Sequence, residues 1–241
     1  MKSLIANIKS DRSLLIGIIY VIFICSLGGS VNYYNEELAD LGWISTLLPY
    51  VIWTILYLPL VYFVVKERWN IKDFGFKLNI ESIILSIIII LFFAFFKTET
   101  IKNNLSFTKI ISEAFARTGE EVFFRGFVYL LIIKLFSGKK HISVWAIILS
   151  SIIFAVIHTQ PGREFAGLSL FIAVVGLLAI PRWLTNSILP CVVIHLLMNS
   201  SLITAIIGIM IFLIIIFIGL IRGENVIELT SISKKVNECG K

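Results

Sequence analysis

Long apolar runs, separated by short polar punctuation, constrain this chain more than anything else in it. They fall at residues 14–30, 43–65, 79–96, 118–136, 142–158, 165–180, 186–200 and 201–221. A bilayer core about 30 Å thick takes roughly 20 apolar residues in a helix. The runs therefore predict an all-α fold: a polytopic membrane helix bundle of about eight transmembrane helices. Only Ser200 and Ser201 part the last two runs, so seven spans with one re-entrant segment is the variant reading. Hydrophobic residues make up 58% of the chain and charged ones 15%, against about 45–50% and 25% in soluble domains. The excess lies in the runs, as a membrane protein requires.

The net charge of +6 comes from basic residues in the short connections. No aromatic-interleaved basic patch accompanies them, so the expected partner is the lipid bilayer and not nucleic acid. With a cytoplasmic N-terminus, fifteen basic residues fall on inside segments and five outside: Lys97, Lys102, Lys109, Arg117 and Arg163. The first outside loop carries Glu36, Glu37 and Asp40. This asymmetry predicts a multi-pass cell-membrane protein with both termini in the cytoplasm. The first run follows Lys2, Lys9 and Arg12 and ends in small residues, like a signal peptide. Seven more runs follow it, so an uncleaved helix is expected. Cys25, Cys191 and Cys239 are odd in number and lack CxxC spacing, which argues against a disulfide framework or thiolate metal site.

Between the runs, residues 69–77 read as a turn lying on the cytoplasmic surface. Residues 105–117 carry apolar side chains at helical spacing and read as an interfacial amphipathic helix. The tail 222–241 reads as polar and loosely ordered. The chain divides into N-terminal helices over 1–104, a core over 105–200, and a last helix with its tail over 201–241.

Charge inside a membrane costs about 2.5–3.5 kcal/mol at a helix centre, so it is paired or functional. The fourth run opens on Gly119-Glu120-Glu121-Val122-Phe123-Phe124-Arg125-Gly126. Glu121 and Arg125 stand at i and i+4 and can pair. Glu120, rotated by about 100°, is left free. The plainer reading is a helix that begins at the interface with acids near its N-terminus. The histidines weigh against that reading. His141 sits in a basic loop and is expected to be solvated. His158 closes the fifth run. His195 lies in the seventh with Asn199 one turn on. A lone histidine on an apolar helix is usually a packing residue; two, with a glutamate pair, are harder to explain so. Run four begins at the membrane face where run five ends, and His195 heads toward that face. The charge count puts this face outside.

Glu120-Glu121-xxx-Arg125, Phe154-xxx-His158 and His195-xxx-Asn199, in this order on separate helices, resemble the CAAX-processing and bacteriocin-processing family of intramembrane proteases. That family includes the type II CAAX prenyl endopeptidase. The resemblance covers about residues 105–200, and the approach Asn186-Ser187-Ile188-Leu189-Pro190 shares it. It implies that Glu120 polarises the attacking water, with Glu121 and Arg125 as an orienting pair. It implies that His158 shares the water or transfers a proton, and that His195 and Asn199 stabilise the oxyanion. The site is expected to work without metal. The alternative is zinc held by Glu120, His158 and His195, although HExxH spacing is absent. The implied substrate is a peptide or membrane-anchored protein tail: a bacteriocin or pheromone precursor, or a CAAX-like end. The family's CAAX-processing members take substrates reached from the cytosol, which is at odds with the external face that the charges favour.

Two readings from other classes stand beside this one. A bacteriocin-immunity or regulatory protein would act by binding and tolerate loss of Glu120. A proton-coupled transporter would use the same residues as a relay, but the chain lacks inverted-repeat symmetry.

Overall fold

A computed structural model describes residues 7–8, 11–33, 43–96, 107–159, 164–199 and 201–228. The acidic loop with Glu36, Glu37 and Asp40, together with Lys97, Lys102, Arg163, Cys239 and the tail beyond 228, lies outside the described residues. The fold is all-α. Its helices are α1 (Ser13–Tyr33), α2 (Trp43–Val65), α3 (Ile80–Phe96), α4 (Phe107–Glu121), α5 (Tyr129–Leu135), α6 (Ile142–His158), α7 (Glu164–Ala173), α8 (Ile180–Thr185), α9 (Leu189–Asn199) and α10 (Leu202–Ile221). Two π-helical stretches, Val122–Val128 and Val174–Ala179, join α4 to α5 and α7 to α8. The described helices thus form eight rods.

Two of these rods are long and apolar enough to cross a membrane by that measure alone, Gly167–Thr185 and Leu202–Ile221. Five further apolar stretches among the described residues are shorter, such as Ile80–Phe95 and Leu189–Asn199, and the rod that carries the fourth run is not among them, so eight spans are not shown. At 1.5 Å per residue, such helices cover only part of the hydrocarbon thickness. The surface is nonetheless apolar. On α3, Leu91 is 63% and Phe95 78% exposed; on α10, Phe217 is 62% and Ile221 71% exposed. Contiguous apolar surface of this kind needs lipid or protein to cover it.

Helix α9 is the axis of the assembly. Every residue from Leu189 to Leu197 is buried, and it packs against α3, α4, α10 and the second π-helical stretch. The amphipathic segment expected over 105–117 is not separate from the fourth run: α4 continues through the π-helical stretch into α5. Segment 69–77 does not lie on the surface either. Ile71–Phe74 forms a 3-10 turn, and Trp69, Ile71, Phe74 and Phe76 are all buried. Trp69 stacks on Phe63 with ring centroids 4.0 Å apart, so aromatic burial outweighs the pull of its basic neighbours toward water. The described part of the tail is anchored: Ile227–Glu228 pairs in parallel with Leu78–Asn79, and Lys77 meets Glu228 at 2.7 Å.

Candidate active site

The Glu120–Glu121 pair ends α4 immediately before the first π-helical stretch. Such stretches are rare and tend to occur at functional sites. Two glycines allow the close packing around it. A Cβ on Gly119 would stand 2.8 Å from the Tyr57 ring, and one on Gly126 3.0 Å from the Phe74 carbonyl oxygen. Tyr57 also donates its hydroxyl to the Phe115 carbonyl at 2.8 Å and stacks on Phe115 at 4.6 Å. The α2 helix therefore fixes α4 just ahead of the glutamates.

Glu120, His158 and His195 come together from three helices. Oε2 of Glu120 lies 3.9 Å from Nε2 of His158 and 3.6 Å from Nε2 of His195. Glu120 is 7% exposed, Glu121 is fully buried and His195 is 5% exposed. The outer nitrogens set the tautomers. His158 Nδ1 lies 2.8 Å from the Phe154 carbonyl. A carbonyl only accepts, so that nitrogen carries the proton. His195 Nδ1 lies 2.7 Å from Oε1 of Glu121 and by the same reasoning donates to it. In the neutral rings both Nε2 atoms are then acceptors aimed at a carboxylate oxygen, itself an acceptor. Oε2 of Glu120 has no hydrogen-bond partner among the described residues. Three acceptors facing one another require a donor between them, and a water molecule supplies two protons.

The pairing of Glu121 with Arg125 has an Oε2–Nε separation of 3.4 Å, with both side chains buried. The guanidinium also lies over the Phe154 ring at 4.7 Å, and Phe154 stacks on His158 at 4.1 Å. Glu120, read from spacing as free, is not: Arg117 Nη1 contacts its Oε1 at 2.8 Å, and Arg117 Nε stands 3.4 Å from Glu113. The i,i+3 spacing of Arg117 and Glu120 was the available signal; assigning Arg117 to an outside loop hid it. Arg182, counted as a cytoplasmic loop charge, is likewise buried. It donates to the Arg125 carbonyl at 3.1 Å and lies over Tyr129 at 5.0 Å. It thereby occupies a carbonyl of the π-helical stretch. Asn199 lies one turn beyond His195; its side chain is exposed, and its amide donates to the His195 carbonyl at 3.1 Å. His141 is exposed and takes a left-handed backbone at the start of α6.

Two imidazoles and a carboxylate are donor types that zinc accepts, and tetrahedral ligand atoms around it stand about 3.3 Å apart. The separations here are wider, and Arg117 occupies one oxygen of Glu120. No group of three His, Cys, Asp or Glu among the described residues is spaced to hold a metal ion. No step below runs through a metal.

A buried carboxylate flanked by two imidazoles among apolar helices is the kind of site an intramembrane hydrolase needs. Residues 102–201 match the family described as type II CAAX prenyl endopeptidase Rce1-like. Over this segment, less than half of the chain, the sequence is similar to the CAAX-processing proteases. No curated protein and no solved structure matches it.

Proposed function

We propose that this protein is an intramembrane endopeptidase that cleaves membrane-associated peptides or protein tails with a water activated by Glu120, without a metal. The observation that carries the reading is the buried, unpartnered Oε2 of Glu120 facing two imidazole Nε2 atoms. Water held there donates to Glu120 and to His158. As it attacks the scissile carbonyl, Glu120 takes its proton and a tetrahedral oxyanion forms. His195, protonated on Nε2 by solvent before the attack, donates from Nε2 to that oxyanion, and Glu121 behind Nδ1 supports the positive charge on the ring, as the carboxylate of a catalytic triad does. Asn199 adds the second proton of its amide, the one not given to the His195 carbonyl. The C–N bond then breaks, and the proton collected by Glu120 passes to the leaving amine.

The core over 105–200 carries the chemistry. Helices from 1–104 and 201–221 complete a multi-pass bundle of eight spans in the cell membrane, with both termini cytoplasmic. Substrates are bacteriocin or pheromone precursors, or CAAX-like ends.

The test uses the full chain in detergent with a peptide library, comparing wild type with Glu120→Gln, each with and without a strong chelator. Cleavage lost in the variant and kept with chelator supports the reading. Loss with chelator, restored by zinc, overturns the metal-free mechanism. A cellular phenotype untouched by Glu120→Ala would make the protein a binding or immunity factor instead.

A further inference from the structure

Two cavities adjoin at one end of the α1–α2 pair, away from Glu120. The first, about 560 Å³, is a polar mouth lined by Asp11, Arg12, Ser13, Lys66 and Arg68, with Ile16 and Tyr62. The second, about 390 Å³, is an apolar groove between the helices, lined by Tyr20, Leu58, Val61 and Phe63 among others. The two share Ile16, Tyr62 and Lys66, so the mouth opens directly onto the groove.

The mouth is cationic. Asp11 is occupied within its own turn, accepting from the backbone N–H of Ser13 at 2.9 Å and from the Ser13 hydroxyl. Arg12, Lys66 and Arg68 form no ion pair among the described residues. Glu67, between two of them, has a left-handed backbone with φ +53° and does not line the mouth. The N-terminus of α1 lies at the same place, so the positive end of its dipole adds to the cationic potential. In the groove, the one hydroxyl deep between the helices is spent, since Tyr20 donates to the Ile55 carbonyl at 2.6 Å. A ligand matching both cavities has a negative head and an aliphatic tail.

We propose that this pocket binds one anionic glycerophospholipid, its phosphate among Arg12, Lys66 and Arg68 and an acyl chain along the α1–α2 groove. The proposal is independent of the peptidase reading. It does have a consequence for the site, because the groove wall backs onto the π-helical stretch. Tyr20 meets Phe123 and Phe127 at 6.3 and 6.2 Å, and Phe63 meets Phe127 at 5.5 Å. A bound chain would brace the helices that carry the glutamates.

The experiment is native mass spectrometry of the full chain in non-ionic detergent, titrated with phosphatidylglycerol or phosphatidylcholine. One phosphatidylglycerol should bind in preference to phosphatidylcholine. A cation near a membrane surface contributes about fivefold in binding, so Lys66→Gln with Arg68→Gln should weaken phosphatidylglycerol about 25-fold. The charge-matched pair Lys139→Gln with Lys140→Gln should leave it unchanged. Leu58→Trp, which fills the groove and keeps every charge, should displace the lipid. Thermal unfolding shows that each variant is folded. Equal binding of the two lipids by wild type, equal weakening by the Lys139/Lys140 pair, or binding indifferent to Leu58→Trp would each overturn the proposal.

Discussion

Glu120 and Glu121 are neighbours in the chain in very different company. Glu121 sits between Arg125 and His195 Nδ1 with no exposure. Glu120 has one oxygen on Arg117 and the other aimed at two imidazoles. Arg117 therefore settles which oxygen of Glu120 faces the histidines. Replacing it with Met should lower kcat by about 10–10²-fold, the usual cost of losing an orienting partner, while KM stays put. Lys at 117 should recover part of the loss. Unchanged kcat in the Met variant would leave Arg117 a surface ion pair. Glu121→Gln keeps the hydrogen-bonding shape but removes the charge behind His195. In the proposed reaction it should cost about 10²–10⁴-fold in kcat, read in the same peptide assay with thermal unfolding to show that the fold survives.

At the scale of elements, the π-helical stretch and the buried turn at Ile71–Phe74 depend on each other. Gly126 admits the Phe74 carbonyl at a distance that a side chain would crowd. Phe74 itself is fully buried between Trp69 and Phe127. Phe74→Ala should cost about 3–5 kcal/mol of stability through the cavity it leaves. Gly126→Ala should cost about 1–3 kcal/mol through overcrowding. Both are measurable by denaturation in detergent. A neutral result for Phe74→Ala would mean that the segment packs less tightly than its burial indicates.

For the molecule as a whole, the sides on which the termini lie fix the orientation of the rods in a bilayer. If both termini are cytoplasmic, single cysteines at Lys2→Cys and at Lys241→Cys, in a chain with Cys25, Cys191 and Cys239 replaced, should react with an impermeant maleimide only after the membrane is opened. Labelling of either one in intact cells would reverse the orientation drawn from the charge count. Arg117 and Arg182 show why that count is a coarse guide: both are engaged inside the protein and neither acts as a loop charge.

Much of the architecture was legible beforehand, because apolar runs and polar breaks are local properties of a chain. Most helices start and stop near the predicted limits, although the fourth begins at Phe107 and the sixth runs on to Thr185, and the chemistry-bearing residues stood out because ionisable groups are rare in such surroundings. The Glu121–Arg125 pair could be read from helical spacing alone. Tertiary structure decided what depends on several elements at once. Burial of Trp69 and Phe74 required α2 and the π-helical stretch to close over them. The approach of His195 Nδ1 to Glu121 depends on where α4 and α9 meet. The separations of 3.6 and 3.9 Å around Glu120 are set by three helices from distant parts of the chain. Periodicity places a side chain on its own helix; only packing fixes which atoms of different helices face each other.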